Sequence, residues 1–565
     1  MGTRHLSSWP PSVPLELAVP KTSVWSNLEA AAARSPDSRC LVFYDAVLPY
    51  ADVKRQCERM AAFLQRECGV KRGDRVGLYM QNSPQFVIAY YAILRADAAV
   101  VPINPMNRTA EIEYMLDDSE THVLFAAQEI AAQAVPLLGN KTLRHLIVSA
   151  YSDYLTTATN LAVPEFVRAP RQAFDAPGLT LWNGALERSL QPLPHTAGPD
   201  DLCVIPYTSG TTGQPKGCMH THRSVMHTTM AGPEWNAMGT ADECVLAVLP
   251  LFHVTGMQNS MNSAIYTGAT IALMPRWDRT VAAELMQRYR VTGWTAVPTM
   301  VVDLLSSPDI DRYDLSSIRV MGGGGAAMPE AIAQKLKDLC GLTYIEGYGL
   351  SETIAPTHIN PPHRPKPQCL GIPIFGTDSR VVNPETLVEL PPGEVGEIIT
   401  HGPQVFQGYW RKPEANKECF VEIEGKRFFR TGDLGRTDEE GYFFLVDRLK
   451  RMINASGFKV WPAEVESMLY AHPAVKEAVI IGINDPRRGE TVKAFVVPHA
   501  GKREELEERS FIEWCQARMA AYKVPRSVEF VDSLPKLGTG KIAWRELQER
   551  ENRKLDSPAA PPTTG

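Results

Sequence analysis

Residues 207–217 read Tyr-Thr-Ser-Gly-Thr-Thr-Gly-Gln-Pro-Lys-Gly. Three glycines, Gly210, Gly213 and Gly217, let the backbone turn tightly and present N–H groups to an anion. The hydroxyls of Thr208, Ser209, Thr211 and Thr212 add donors, and Lys216 adds a positive charge. A short apolar stretch, Cys203-Val204-Ile205-Pro206, precedes the loop, and a helix-compatible segment from His222 to Met230 follows it. A loop of this make-up suits the cradling of a polyphosphate. It is not of the Walker type, which needs a hydroxyl directly after its lysine. Here Gly217 and Cys218 occupy those positions.

Five further strings bear on nucleotide chemistry. Gly322-Gly323-Gly324-Gly325-Ala326 ends a predicted strand; glycines there let a flat ligand approach the backbone, and alone they would also suit a plain strand-to-helix turn. In Gly347-Tyr348-Gly349-Leu350-Ser351-Glu352-Thr353, Tyr348 can stack on a purine and Ser351 can reach a phosphate. Glu352 is a hard oxygen ligand of the kind magnesium takes. Thr431-Gly432-Asp433 reads as a tight turn followed by a carboxylate able to accept both hydroxyls of a ribose. The segment Asp447 to Glu466 carries a cluster of Arg448, Lys450 and Arg451 and the loop Ser456-Gly457-Phe458-Lys459. Pro535-Lys536-Leu537-Gly538-Thr539-Gly540-Lys541 puts a lysine on a glycine-hinged loop that can swing into a remote site.

In this order and spacing, the six strings resemble the adenylate-forming superfamily of acyl-CoA synthetases, aryl-CoA ligases, peptide-synthetase adenylation domains and beetle luciferases. The resemblance runs over roughly residues 25–550. It implies that the loop 207–217 binds the β- and γ-phosphates of ATP, with Thr208 and Thr211 among the donors. Gly323, Gly324, Gly325, Ala326, Gly347, Tyr348 and Gly349 would form the adenine slot. Ser351 would approach the α-phosphate, and Glu352, with Thr208 nearby, would hold Mg2+. Asp433 and Arg448 would grip the ribose, with Phe444 beside the nucleotide. Lys541 would touch the carboxylate and the α-phosphate during adenylation, Lys450 would sit at the hinge between two domains, and Ser456, Gly457, Phe458 and Lys459 would face coenzyme A. His253, which follows a predicted buried strand, would lie beside the acyl site; read alone, it would equally be a satisfied core histidine, and His222 reads as structural. The chain departs from many members at Leu537, where a hydroxyl is common, and at Trp461, which either shapes the thioester tunnel or packs.

The implied activity is ATP-dependent ligation of a carboxylic acid to coenzyme A through an acyl-AMP. Segments 253–260, 294–300, 322–327 and 347–357, expected to build the acyl pocket, hold no Lys, Arg or Asp. Met257, Met300 and Met321 offer adaptable apolar surface. A medium- or long-chain fatty acid suits such a pocket; an aryl or alicyclic acid is the alternative, because the glycines admit a flat ring. A luciferase-like oxidation or transfer to a carrier protein are the other outcomes open to an acyl-adenylate.

These residues need a scaffold, and the rest of the chain supplies its signals. Between 200 and 350, strand-like runs (Val245–Leu249, Thr270–Met274, Trp294–Val297, Arg319–Met321, Thr343–Ile345) alternate with helical segments near 257–266, 279–290, 299–306 and 329–339. Residues 40–147 repeat the rhythm, which points to parallel-rich α/β sheets covered by helices. From about 371 to 440 short β-rich runs predict a small barrel-like β subdomain, and 450–552 reads as a smaller, mobile α+β domain, so that 1–449 forms the large N-terminal domain. Residues 553–565 predict a disordered tail.

Hydrophobic residues make up 44% of the 565 and the net charge is −6, which suits a soluble globular enzyme and argues against nucleic acid or an anionic membrane as partner. Ten dispersed cysteines without Cys-x-x-Cys spacing point to reduced thiols and a cytoplasmic setting. The N-terminus has no apolar signal segment, and the longest apolar stretch, 86–103, is interrupted by Arg95 and Asp97. The expected assembly is a monomer or homodimer.

Overall fold

Ala99-Val100-Val101-Pro102-Ile103 has no polar side chain, and a strand so composed must be covered on both faces. In the computed structural model all five residues are buried, in a parallel ladder with Arg75–Tyr79. The structure describes residues 4–208, 214–324, 328–448, 451, 453–455, 458–460, 462–485, 489–536 and 542–556. Among these, a seven-stranded sheet runs in the order His220–Thr221, Leu202–Val204, Ala99–Ile103, Arg75–Tyr79, Val123–Ala127, His145–Ser149, Leu179–Leu181. It is parallel except at its first pair.

A nine-stranded sheet has a parallel centre, Tyr344–Leu350, Val320–Gly323, Gly293–Thr295, Cys244–Ala247, Thr270–Leu273 and Arg39–Phe43. Antiparallel strands close both ends: Ala355–Ile359 and Ile372–Pro373 at one, Ala46–Pro49 at the other. The expected α/β alternation is present. Helix Pro84–Arg95 starts with proline at its first position and with Ser83 capping the Phe86 amide at 3.2 Å; from Pro84 to Leu94 every residue is buried. The apolar stretch is thus a core helix feeding a core strand. Among the described residues no helix is long and apolar enough to cross a membrane.

The chain divides into two compact units, the second comprising Arg380–Ile399, Arg430–Asp438 and everything from Phe444. The β-rich region forms a five-stranded sheet, Asp378–Val382, Gly396–His401, Lys426–Thr437 and Phe420–Ile423, with Phe443–Arg448 pairing Lys426–Thr437. In the second unit a further sheet orders Phe458–Val460, Ile453–Ala455, Gly489–Pro498 and Val475–Asp485, with Ser527–Phe530 parallel to Gly489–Pro498.

Three expectations need correction. Thr431-Gly432-Asp433 is not a turn: it lies inside the continuous strand Lys426–Thr437, where Gly432 takes φ 67° and bends the strand without ending it. The segment near 257–266 is not a plain α-helix, because Met257–Asn262 winds as a π-helix between α-helical ends. The helix Trp544–Asp556 runs past residue 552, with Arg553 and Lys554 complementing the dipole of its last turn. The remainder of the tail, 557–565, lies outside the described residues.

The N-terminal arm is tied down by a serine–histidine–aspartate array. Ser23 Oγ lies 2.6 Å from His195 Nε2, and His195 Nδ1 lies 2.5 Å from Asp97 Oδ1. Thr196 and the Ala197 amide hold Asp97 in turn. The Val24 N–H, which next to a nucleophilic serine would face an oxyanion, instead donates to His222 Nδ1 at 3.0 Å, so the array fastens chain segments.

Burial keeps four histidines of the first unit neutral: His220, His222 and His227 have pKa values lowered to about 4, and His358 to about 3. In the unfolded chain the same groups titrate near 6.5, so between about pH 6.5 and 4 the unfolded state binds more protons than the folded one. Stability is therefore expected to be complete above about pH 6.5 and to fall as the solution is acidified toward pH 4. Urea midpoints at about pH 7.5, 6 and 4.5 check this, and His227→Gln should flatten the slope.

Candidate active site

The phosphate-loop string folds as a hairpin. Thr208 pairs with Lys216 and Tyr207 with Gly217 across an antiparallel ladder. The tip, with Ser209, Gly210, Thr211, Thr212 and Gly213, lies outside the described residues. Tyr207 donates its phenol proton to Asp118 Oδ2 at 2.8 Å, and Tyr114 donates to the Pro215 carbonyl at 3.0 Å, so both arms are anchored to the helix Thr109–Ser119. A Cβ on Gly217 would lie 2.7 Å from Ile205 Cγ2, which explains glycine there by packing. Cys218 is fully buried against Phe406, Tyr409 and Phe429 and takes no part in binding an anion.

Beyond the hairpin, the chain is clamped by a segment that sequence reasoning left unassigned, Phe406 to Trp410. Trp410 N donates to Gly217 O (2.8 Å), Met219 N to Gly408 O (3.0 Å) and Gln407 N to Met219 O (2.9 Å). The same segment reaches the Ser351–Thr353 turn, because Phe406 N donates to Glu352 O at 2.8 Å and the Tyr409 phenol donates to Glu352 Oε1 at 2.8 Å. His220 closes the circuit, its neutral ring donating from Nε2 to Ser351 O at 2.7 Å. The expected phosphate arm, with Thr208 and Lys216, and the turn with Ser351 and Glu352 are thereby brought together. After the turn, Ile354 (φ 44°) and Ala355 (φ 83°) both hold left-handed backbone. Each costs roughly 1–3 kcal/mol, strain that the surrounding hydrogen bonds must hold in place.

Tyr348 lies in the strand Tyr344–Leu350, cross-strand from His358 with ring centroids 5.6 Å apart. His358 in turn packs on Phe443 at 4.5 Å. The glycines around this strand have a reason the sequence did not give. A Cβ on Gly323 would stand 2.0 Å from Ala296 O, on Gly324 2.3 Å from Gly347 O, and on Gly349 2.2 Å from Ala355 O. A Cβ on Gly347 is merely tight, 3.2 Å from His358 O. Close strand approach alone requires glycine at the first three. Gly325 and Ala326 lie outside the described residues.

His253 caps the short helix Val254–Gly256, its Nδ1 accepting from Thr255 N at 3.3 Å, and the π-helix follows directly. Met257 and Met321 are buried and Met300 is half-buried. The π-helix also buries Gln258 and Asn262 in a polar network with Thr229, Tyr90 and Tyr91.

In the second unit, Asp433 is buried, its amide donating to Thr431 Oγ1 at 3.0 Å. Arg430 pairs with Glu397 and the Gly432 amide donates to the same carboxylate at 3.2 Å, so the bend before Asp433 is held rigidly. Phe444 lies in the strand Phe443–Arg448 beneath the Arg436 guanidinium at 4.6 Å. Phe458 and Lys459 pair with Ala455 and Asn454 in a hairpin. The side chains of Arg448, Phe458 and Lys459, and the residues Lys450, Ser456, Gly457, Trp461 and Lys541, lie outside the described part of the chain.

Among the described residues no group of three or more His, Cys, Asp or Glu could cage a metal. Glu352 is a nearly buried carboxylate whose Oε1 is oriented by Tyr409. A lone hard carboxylate fits magnesium that arrives on a nucleotide triphosphate, since this ion takes one or two protein carboxylates and completes its shell with phosphate and water.

The chain matches two families: AMP-binding enzyme over residues 28–410 and the AMP-binding enzyme C-terminal domain over 464–541. It is 36% identical to a long-chain-fatty-acid–CoA ligase of Bacillus subtilis (strain 168), covering 97% of this chain and 98% of that protein. It is 34% identical to a feruloyl-CoA synthase of Amycolatopsis sp, over 92% of this chain and 97% of that one. Among solved structures, an anthranilate CoA ligase in complex with anthranoyl-AMP superposes with a TM-score of 0.82 at 26% identity, over 96% of this chain and 99% of that one. The chain belongs to the AMP-binding, adenylate-forming enzyme family. Its class of reaction is that of an AMP-forming acid–thiol ligase.

Gly323→Ala is expected to be destabilising by about 2 kcal/mol or more, because strand backbone must move to admit the methyl group. Gly184→Ala, in the helix Trp182–Glu187 with nothing within 4 Å of the new Cβ, should be neutral or stabilising by up to about 1 kcal/mol. Thermal or urea unfolding of the two variants checks the contrast.

Proposed function

We propose that this enzyme activates a medium- or long-chain fatty acid as its acyl-AMP and passes the acyl group to coenzyme A. The observation that carries the nucleotide half of this reading is the circuit joining the Thr208–Lys216 hairpin, the Ser351–Glu352 turn and the Phe406–Trp410 segment. A carboxylate is a poor electrophile because its oxygens leave badly. Its attack on the α-phosphorus of ATP releases pyrophosphate and makes AMP the leaving group for a thiol. No covalent enzyme nucleophile is needed, so the work is positioning and charge stabilisation.

In this reading Thr208, Lys216 and the loop between them hold the β- and γ-phosphates while Ser351 faces the α-phosphate. Tyr348 stacks on the adenine, and Asp433 with Arg448 holds the ribose. Magnesium, carried by Glu352, supplies charge neutralisation on the phosphates when bound. Lys541 places its ammonium at the α-phosphate and the carboxylate, then withdraws as the domain 450–552 turns at Lys450 and brings Ser456 to Lys459 to the thiol. His253, at the head of the π-helix, borders the acyl group.

Met257 and Met321, with half-buried Met300, and the lack of Lys, Arg and Asp in the four pocket segments support a medium- or long-chain fatty acid, as does the similarity to a long-chain-fatty-acid–CoA ligase. The second reading, an aryl acid, is supported by the feruloyl-CoA synthase and anthranilate CoA ligase similarities. A panel of fatty and aryl acids assayed for pyrophosphate release and then for CoA thioester decides between them; turnover confined to aryl acids would overturn the first. Lys541→Ala is expected to lower adenylate formation by about a hundredfold or more while leaving thioester formation from supplied acyl-AMP nearly unchanged, measured by the two half-reactions separately.

A further inference from the structure

Tyr409 touches both groups on which the phosphate chemistry depends. Its phenol donates to Glu352 Oε1 at 2.8 Å, and its ring lies beneath the Lys216 ammonium, 5.1 Å from Nζ to the centroid. Its own place is fixed by three residues. Its backbone forms an antiparallel bridge with Cys218, its N–H donates to Asn416 Oδ1 at 2.6 Å, its carbonyl accepts from Asn416 Nδ2 at 3.0 Å, and its ring meets Phe406 edge-on at 4.9 Å. In the bond to Glu352 the phenol is the donor, because the carboxylate oxygen accepts.

We propose that Tyr409 is a positioning residue that sets the Glu352 carboxylate and the Lys216 ammonium toward the metal–triphosphate. The proposal rests on the metal role given above to Glu352. With Oε1 oriented by the phenol, the position of the carboxylate is fixed. The ring face attracts the Lys216 ammonium by cation–π interaction without neutralising its charge, as a carboxylate partner would. One side chain thus spaces an anion for the metal and a cation for the phosphates.

The test uses the full chain with ATP and Mn2+ as the probe for magnesium. Free Mn2+ is counted by electron paramagnetic resonance, alongside the thermal midpoint and the separate KM and kcat of adenylate formation. Tyr409→Phe keeps the ring and deletes the donor. It is expected to weaken Mn2+ binding to the protein–ATP complex about tenfold, to raise the KM for metal–ATP with a smaller change in kcat, and to leave the thermal midpoint near that of the parent. Replacing Tyr409 by para-aminophenylalanine puts an N–H donor where the phenol oxygen stood; it is expected to bind Mn2+ close to the parent, and this reads the donor even if the Phe variant folds poorly. Tyr409→Phe combined with Glu352→Gln should bind no more weakly than Glu352→Gln alone. If Glu352→Gln loses Mn2+ while Tyr409→Phe binds like the parent, the proposal is overturned and the metal role of Glu352 stands. If Glu352→Gln itself binds like the parent, the metal role falls and the proposal with it.

Discussion

The Thr208–Lys216 hairpin and the Ser351–Thr353 turn both depend on a short antiparallel pairing between Gly217–Met219 and Gln407–Trp410. The ladder between Tyr207–Thr208 and Lys216–Gly217 is two residues long, too short to hold its strands by itself. The pairing converts that hairpin into the edge of a packed structure. It also delivers the main-chain bond from Phe406 to Glu352, so the turn beside the hairpin is registered by the same segment. Apolar contacts among Cys218, Phe406, Tyr409 and Phe429 keep water from competing for these bonds.

Strain is placed where this support is densest. Ile354 is β-branched and fully buried, yet it holds left-handed backbone directly after the Ser351–Thr353 turn. Such a conformation persists only when neighbours over-determine it. Here Thr353 accepts from Leu350 N and reaches the Ala355 carbonyl, while His220 and Phe406 hold the carbonyls of Ser351 and Glu352. The carboxylate is therefore presented from a backbone with little room to relax.

The sequence made the parallel α/β architecture legible because buried parallel strands read as apolar runs spaced by helical patterns, and Ala99–Ile103 and Thr270–Leu273 fall where those runs predict. What it hid depends on contact between distant segments. Nothing near Tyr409 announces that its phenol meets a carboxylate 57 positions earlier, and nothing near His220 announces Ser351. Thr431-Gly432-Asp433 reads as a turn because local composition reports only that Gly432 tolerates positive φ; pairing with neighbouring strands carries the chain through the bend as one strand. The glycines at 323, 324 and 349 read as room for a flat ligand or as a plain turn; that carbonyls occupy the space of a Cβ at each belongs to the assembled sheet.

The trio of Ser23, His195 and Asp97 carries a lesson for annotation by geometric template. Its interatomic spacings are those of a hydrolytic relay, and a search keyed to spacing alone would label this ligase an esterase. The amide beside the serine is already committed to an imidazole, and the serine side chain is almost wholly enclosed. Three residues that elsewhere break esters here act as a latch for the amino-terminal arm.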